Sequence, residues 1–275
     1  MNNHQNVQTT WRRGSGLIDW NYNLFVESTL EEFLPNSSLT PLSIFGGRGL
    51  RDLPDNLVVK SPLEKFLNSH SNSPLPMGKR LARLLLTDPS IRRLWIVERI
   101  ERLVKTLDDF ARVEDVTVDT RSCGEETFVI EDWQGTQSRL KLRNWLTKTD
   151  DVVNIDFTLT LQCLTPGDRD IPEELAIKSG GNISIFVELD DDGELDTTTP
   201  SPIWLTFGLD VDIYAPLSWG EQRDNTKLAQ LNGSRLSAFL HRLEEDIPGE
   251  FLGVDAPDYQ DLVNRYGFLG VSHRP

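Results

Sequence analysis

Asp210 and Asp212 stand at i and i+2 in a run that reads as a strand, so they would share one face at a spacing of about 7 Å. Two carboxylates so placed suit acid–base work or a metal ion. No histidine or third acid is tied to them in the sequence, and two solvated acids on a strand are the plainer reading. Glu188, Asp190, Asp192, Gly193, Glu194 and Asp196 have the spacing of a calcium loop. Thr199 occupies the place of the closing bidentate acid, and strands rather than helices flank the loop, so a solvated hairpin tip is expected. Gly46, Gly47 and Gly49 with Arg48 and Arg51 can offer backbone N–H groups to a phosphate, but neither a P-loop nor a dinucleotide fingerprint is present.

The segment from Lys79 to Lys105 holds eight basic residues against Asp88, Glu98 and Glu101. Its arginines, Arg80, Arg83, Arg92, Arg93, Arg99 and Arg102, suit phosphate and carboxylate and could track a nucleic-acid backbone. Against that, the chain carries a net charge of −15, the opposite of a typical nucleic-acid-binding domain. A dock for the chain's own acidic half is the competing reading. Residues 1–110 carry 14 basic against 12 acidic residues, and residues 111–275 carry 14 against 31, so partners of opposite sign would be steered to opposite ends.

Nucleophilic chemistry has little support. There is no Gly-x-Ser-x-Gly, no Cys/His zinc spacing, and His4, His70, His241 and His273 fall in tails, a loop or a helix surface. Cys123 and Cys163 lie at or in predicted strands, Cys123 just past the end of one and Cys163 on the apolar side of another as a small hydrophobe. No catalytic residue, cofactor or metal is assigned. Seven tryptophans are many. Trp133, Trp145 and Trp204 fall out of phase with the apolar faces of their strands, and large aromatics there mark an interface or a pocket.

The elements that must position these residues follow from periodicity. Val153, Ile155, Phe157, Leu159, Leu161 and Cys163 alternate with polar residues, as do Ile203, Leu205, Phe207, Leu209, Val211 and Ile213. Such alternation marks antiparallel strands with one wet face. Strands are predicted near 113–121, 127–133, 138–146, 151–164, 182–189 and 203–214, with a further one at Trp20 to Val26. On this reading Arg139, Lys141 and Arg143 line one strand, and the turn at 147–150 brings Arg143 near Asn154 or Asp156. Long connections are expected at 165–181 and 190–202.

Helices are predicted from Ser61 to His70, where a cap, Pro62 and Glu64 open it, from Met77 to Leu86, and from Asp88-Pro89 to Ala111. A long helix runs from Asn225 to Asp246, with Asn232-Gly233 costing roughly 1 kcal/mol of propensity, and a short one from Pro257 to Tyr266 ends at Gly267. The fold class is α+β: a curved antiparallel meander of six to seven strands packed on helices, with a long C-terminal helix. Residues 1–16 form a disordered tail and 17–275 one domain, with helices at about 61–111, sheet at about 113–214 and C-terminal helices at about 225–267. The order strand, helices, meander, long helix resembles the helix-grip fold of START-type lipid and hormone binders, a likeness of architecture that no motif residue carries.

No apolar run is long enough to span a membrane and no signal peptide is visible, so a cytoplasmic protein is expected, reduced at its two cysteines. The Asn-x-Ser/Thr triplets at Asn36, Asn182 and Asn232 are then chance matches. The expected function is a non-enzymatic intracellular binding or assembly protein, an accessory subunit of a larger protein or ribonucleoprotein complex. Arg80, Arg83, Arg92, Arg93, Trp133, Trp145 and Trp204 are its partner-binding candidates, with a protein partner favoured and nucleic acid an option through the arginines. The alternative is an apolar-ligand binder or enzyme whose pocket, between sheet and long helix, is lined by Phe157, Phe207, Phe239 and Leu243.

Overall fold

The computed structural model describes residues 11–25, 77–107, 109–122, 127–167, 171–218, 220 and 223–269. The sheet is antiparallel and has seven strands in the order β3-β2-β4-β5-β6-β1-β7. They are β1 (Arg13–Asn23), β2 (Ala111–Thr120), β3 (Phe128–Ile130), β4 (Val152–Pro166), β5 (Pro172–Val187), β6 (Ile203–Val211) and β7 (Glu250–Asp255). Among the described residues four helices accompany it: α1 (Met77–Thr87), α2 (Pro89–Leu107), α3 (Thr136–Leu146) and α4 (Thr226–Asp246). A small hairpin, β8 (Val263–Asn264) with β9 (Gly267–Phe268), follows. The α+β class and the antiparallel sheet therefore hold. No helix of the described residues is long and apolar enough to cross a membrane.

The alternating residues do what period two requires. Ile155, Phe157, Leu159 and Leu161 of β4 and Ile203, Leu205, Phe207 and Leu209 of β6 are all buried on one face, and α2 and α4 close over it. Phe110 stacks on Phe239 of α4 at 4.2 Å between ring centres, and Phe239 meets Phe207 edge-on at 4.9 Å. Asn232 costs α4 some propensity but is buried for a reason. Its Oδ1 accepts from the Leu164 N–H at 2.7 Å and its Nδ2 donates to the Leu164 carbonyl at 2.9 Å, tying the helix to β4.

Several expectations fail. Residues 138–146 form helix α3, not a strand. Leu140 and Leu142 alternate with Arg139, Lys141 and Arg143, but five residues of period two cannot decide between periods. The stretch 137–146 holds no β-branched residue, and burying Ser138, Leu142 and Leu146 uses the i, i+4, i+8 stripe of a helix. Arg143 consequently turns away from Asp156 and pairs with Glu101 at 3.1 Å. The short helix expected at 257–266 is instead a series of turns leading into the β8–β9 hairpin, whose bend is set by Asn264 Oδ1 accepting from the Tyr266 N–H at 2.8 Å.

β5 starts at Pro172, ten residues before the expected strand, because the far end of β4 supplies backbone partners from Gln162 to Pro166 for a polar segment that reads as loop. β1 starts at Arg13, inside the stretch expected to be disordered. The helix expected to reach Ala111 ends at Leu107, and Ala111 opens β2. The helix at Ser61, the Gly46–Arg51 loop, Cys123, His4, His70 and His273 lie outside the described residues.

Candidate partner-binding surfaces

The arginines were expected on a partner-facing surface. Arg92 is buried instead, with its guanidinium donating to the Leu85 carbonyl at 3.5 Å and to the Gly193 carbonyl at 3.0 Å. Gly193 belongs to the acidic hairpin tip, so this arginine docks the chain onto its own acidic half. Arg93 pairs with Asp150 on the rim of a shallow cleft. Arg99 is buried against the Trp95 ring, 4.7 Å from its centre, and donates to the Pro248 carbonyl at 3.3 Å. Burial pulls its pKa down to about 9. Arg83 remains exposed; Arg80 lies in α1 and its side chain is outside the described residues.

The other chemical candidates are absorbed in the same way. Asp210 Oδ1 accepts from the Gly16 N–H and Asp212 Oδ1 from the Arg12 N–H, each at 2.7 Å, so both carboxylates hold the start of β1. In the calcium-like turn, Asp190 Oδ1 accepts from the N–H groups of Asp192 and Glu194, both at 3.0 Å, as a hairpin tip does. Among the described residues no group of acids, histidines and cysteines is placed to hold a metal ion. The Cys163 thiol is buried beside the Tyr214 hydroxyl at 3.3 Å, and burial pushes its pKa up to about 11. A thiol so raised is a poor nucleophile. His241 is exposed and stacks on Tyr266 at 3.8 Å.

The three tryptophans expected on one face lie on two. Trp145 sits on α3, half-buried, and stacks on Phe128 of β3 at 4.7 Å. Phe128 is opposite Val118, whose side chain points into the core, so this pair lies on the helix-covered side of the sheet. Trp133, half-buried, leads into α3 and donates its backbone N–H to the Glu114 carbonyl at 2.7 Å. On the same helix Leu140 is 46% exposed. Trp204 lies on the opposite, outer side and stacks on Phe186 of β5 at 4.9 Å.

The register lays out that outer side in rows. One row runs Asp119, Asn154, Phe186, Trp204, Asn23, Glu250 across β2, β4, β5, β6, β1 and β7. The next runs Thr117, Asp156, Ser184, Thr206, Asn21, Gly253, with Val129 of β3 at its end. The third runs Asp115, Thr158, Asn182, Gly208, Asp19, Asp255. These rows contain acids and no lysine or arginine. Gly208 is required where it stands, because a Cβ there would collide with Asn182 Oδ1 and Asp19 Oδ1, which close over it. Burial, then the charges of Asp255 and Asp210, raise the Asp19 pKa. Sequence reasoning flagged Asn154 and Asp156 but missed Asp19, Asp115, Asp119 and Phe186. The signal was their phase in each strand, usable only once the pairing aligned them.

The pocket residues of the alternative reading, Phe157, Phe207, Phe239 and Leu243, are all buried between sheet and α4. Phe207 and Phe239 touch each other and Phe110, so a ligand there would have to part them. Neither a protein-family model, nor a curated protein, nor a solved structure matches the chain.

Proposed function

We propose that the protein is a non-enzymatic binding or assembly protein that works inside the cell as an accessory subunit of a larger complex. The observation that carries this reading is the half-buried Trp145–Phe128 stack on the edge strand β3, on a helix that also leaves Leu140 46% exposed. Aromatic side chains held partly in water on a rigid element are what protein interfaces use as anchors. Trp133, half-buried just before α3, is assigned to the same surface in this reading. The exposed Arg83 adds a charged contact elsewhere on the helical layer. A protein partner fits an aromatic anchor of this kind better than a nucleic acid does, because Arg92 and Arg93 already bind the chain's own carbonyl and carboxylate groups.

Native mass spectrometry of the protein purified gently from its source tests the reading. The wild type is expected in a stable larger assembly, and Leu140→Ser and Trp145→Ala variants are expected to release a folded monomer. A wild-type monomer, with or without added small mass, would sink the reading; an added small mass would favour the cavity between sheet and α4 instead.

A further inference from the structure

The outer sheet face carries Asp19, Asp115, Asp119, Asp156, Glu250 and Asp255 in three registered rows without a basic residue. Acids alone do not make a site. Here they surround an aromatic pair, Phe186 on Trp204, both half-buried. Two buried acceptors without a donor flank that pair. Asn154, opposite Phe186, spends its N–H groups on Asp156 at 2.5 Å and Asp119 at 3.3 Å, and its Oδ1 accepts nothing. Glu188, two residues beyond Phe186 and so on the same side, has a buried Oε2 that also accepts nothing. A buried acceptor left unmade costs roughly 1–3 kcal/mol, and such groups call for an explanation.

We propose that the outer face docks an arginine-bearing basic segment of a protein partner, with one guanidinium lying on the Phe186–Trp204 pair. A guanidinium is planar, stacks on aromatic rings and carries several N–H donors in a fixed fork. Asp119 and Glu250 at the ends of the same row supply opposite charge, and outward rotation of the Asn154 and Glu188 side chains on binding brings their shielded oxygens to it as acceptors. The remaining acids attract further cations along the segment. Their negative field repels a phosphate backbone or an anionic bilayer, which leaves a basic polypeptide as the occupant. This inference rests on the reading of the chain as a protein-binding protein, and it assigns Trp204 to a surface separate from Trp145.

The test uses the full-length protein and three blocked hexapeptides: hexa-arginine, hexa-lysine and hexa-citrulline, the last keeping the arginine shape without the charge. Affinities are measured by calorimetry at low and near-physiological salt. Hexa-arginine is expected to bind more tightly than hexa-lysine, with no binding of hexa-citrulline. The Asp119→Asn/Glu188→Gln variant is expected to lose at least tenfold in hexa-arginine affinity with an unchanged melting temperature. An Asp191→Asn/Asp192→Asn variant removes the same charge from the exposed hairpin tip and is expected to bind like the wild type.

Equal losses in the two variants would mean diffuse attraction to an acidic protein and would overturn the site. So would equal affinity for arginine and lysine, or an unchanged affinity in the first variant. An assembly that stays intact in the Asp119→Asn/Glu188→Gln protein would likewise overturn this site while leaving the broader binding reading in place.

Discussion

The two faces of the sheet are made by the same strands, residue by alternate residue, and they solve opposite problems. On the inner face Phe207, Phe239 and Phe110 find each other, and α2 and α4 complete the packing. On the outer face like charges sit in register and two acceptors near Phe186 go without donors. One end of that outer face shows what a satisfied acid looks like. Glu114, on the bulge of β2, accepts from the Thr160 hydroxyl and from the Ser179 N–H and hydroxyl, both at 3.0 Å. The contrast teaches that this sheet can satisfy its acids locally where partners exist. Where it does not, as at Asp19 and Glu188, the arrangement is better suited to contact than to stability.

That contrast can be broken at its strongest point first. Phe239→Ala removes the ring that joins α4 to the sheet and should cost about 3–5 kcal/mol, read as a lowered urea midpoint with an unchanged slope; a cost below about 1 kcal/mol would mean the ring cluster is loosely packed. A smaller effect is expected from Glu114→Gln. Burial raises the Glu114 pKa, but the hydrogen bonds from Thr160 and Ser179 outweigh it and leave the carboxyl below its ordinary value. A lowered pKa contributes stability above the unfolded value of 4.5 that is lost as pH falls through the folded one. The wild type should therefore exceed the variant by about 1 kcal/mol or less near neutrality, and the gap should close below pH 4.5.

The smallest effect has the opposite sign. The Asp19 pKa is raised, so its favourable contribution is present below 3.8 and is lost as pH rises through the folded value. Asp19→Asn should then gain in melting temperature relative to the wild type as pH climbs from 3.8 to neutrality. A variant that loses ground over that range would show the carboxylate to be locally satisfied after all, and would erase the distinction drawn from Glu114.

Much of the core was legible because β4 and β6 alternate over enough residues to exclude any other period. Short segments were not. Residues 138–146 satisfy period two for five residues and a helical stripe for nine, and tertiary burial of Ser138, Leu142 and Leu146 chose the helix. The polar start of β5 carries no strand pattern, since its partner on β4 and not its own composition makes it a strand. The arginines misled for a related reason. Their types show what they can bind, but only the fold shows that the Gly193 carbonyl and Asp150 reach Arg92 and Arg93 first. The candidate arginine site was the least visible. It joins Asn154, Phe186, Glu188 and Trp204 from three strands, and no spacing along the chain relates them.

β1 lies between β6 and β7, and its Asn21 accepts a hydrogen bond from Thr206, 185 positions further on. Its Trp20 donates to the Asn264 carbonyl, 244 positions away. A ribosome therefore releases β1 long before either neighbour exists, and the strand must wait as an unpaired ribbon of Leu17, Ile18, Trp20 and Tyr22. Contacts this distant in sequence slow folding, and an open apolar strand invites association with other chains. The nascent protein thus has an extended period of vulnerability that ends only when its last third has been synthesised, and a chaperone holding the first strand would act during that interval.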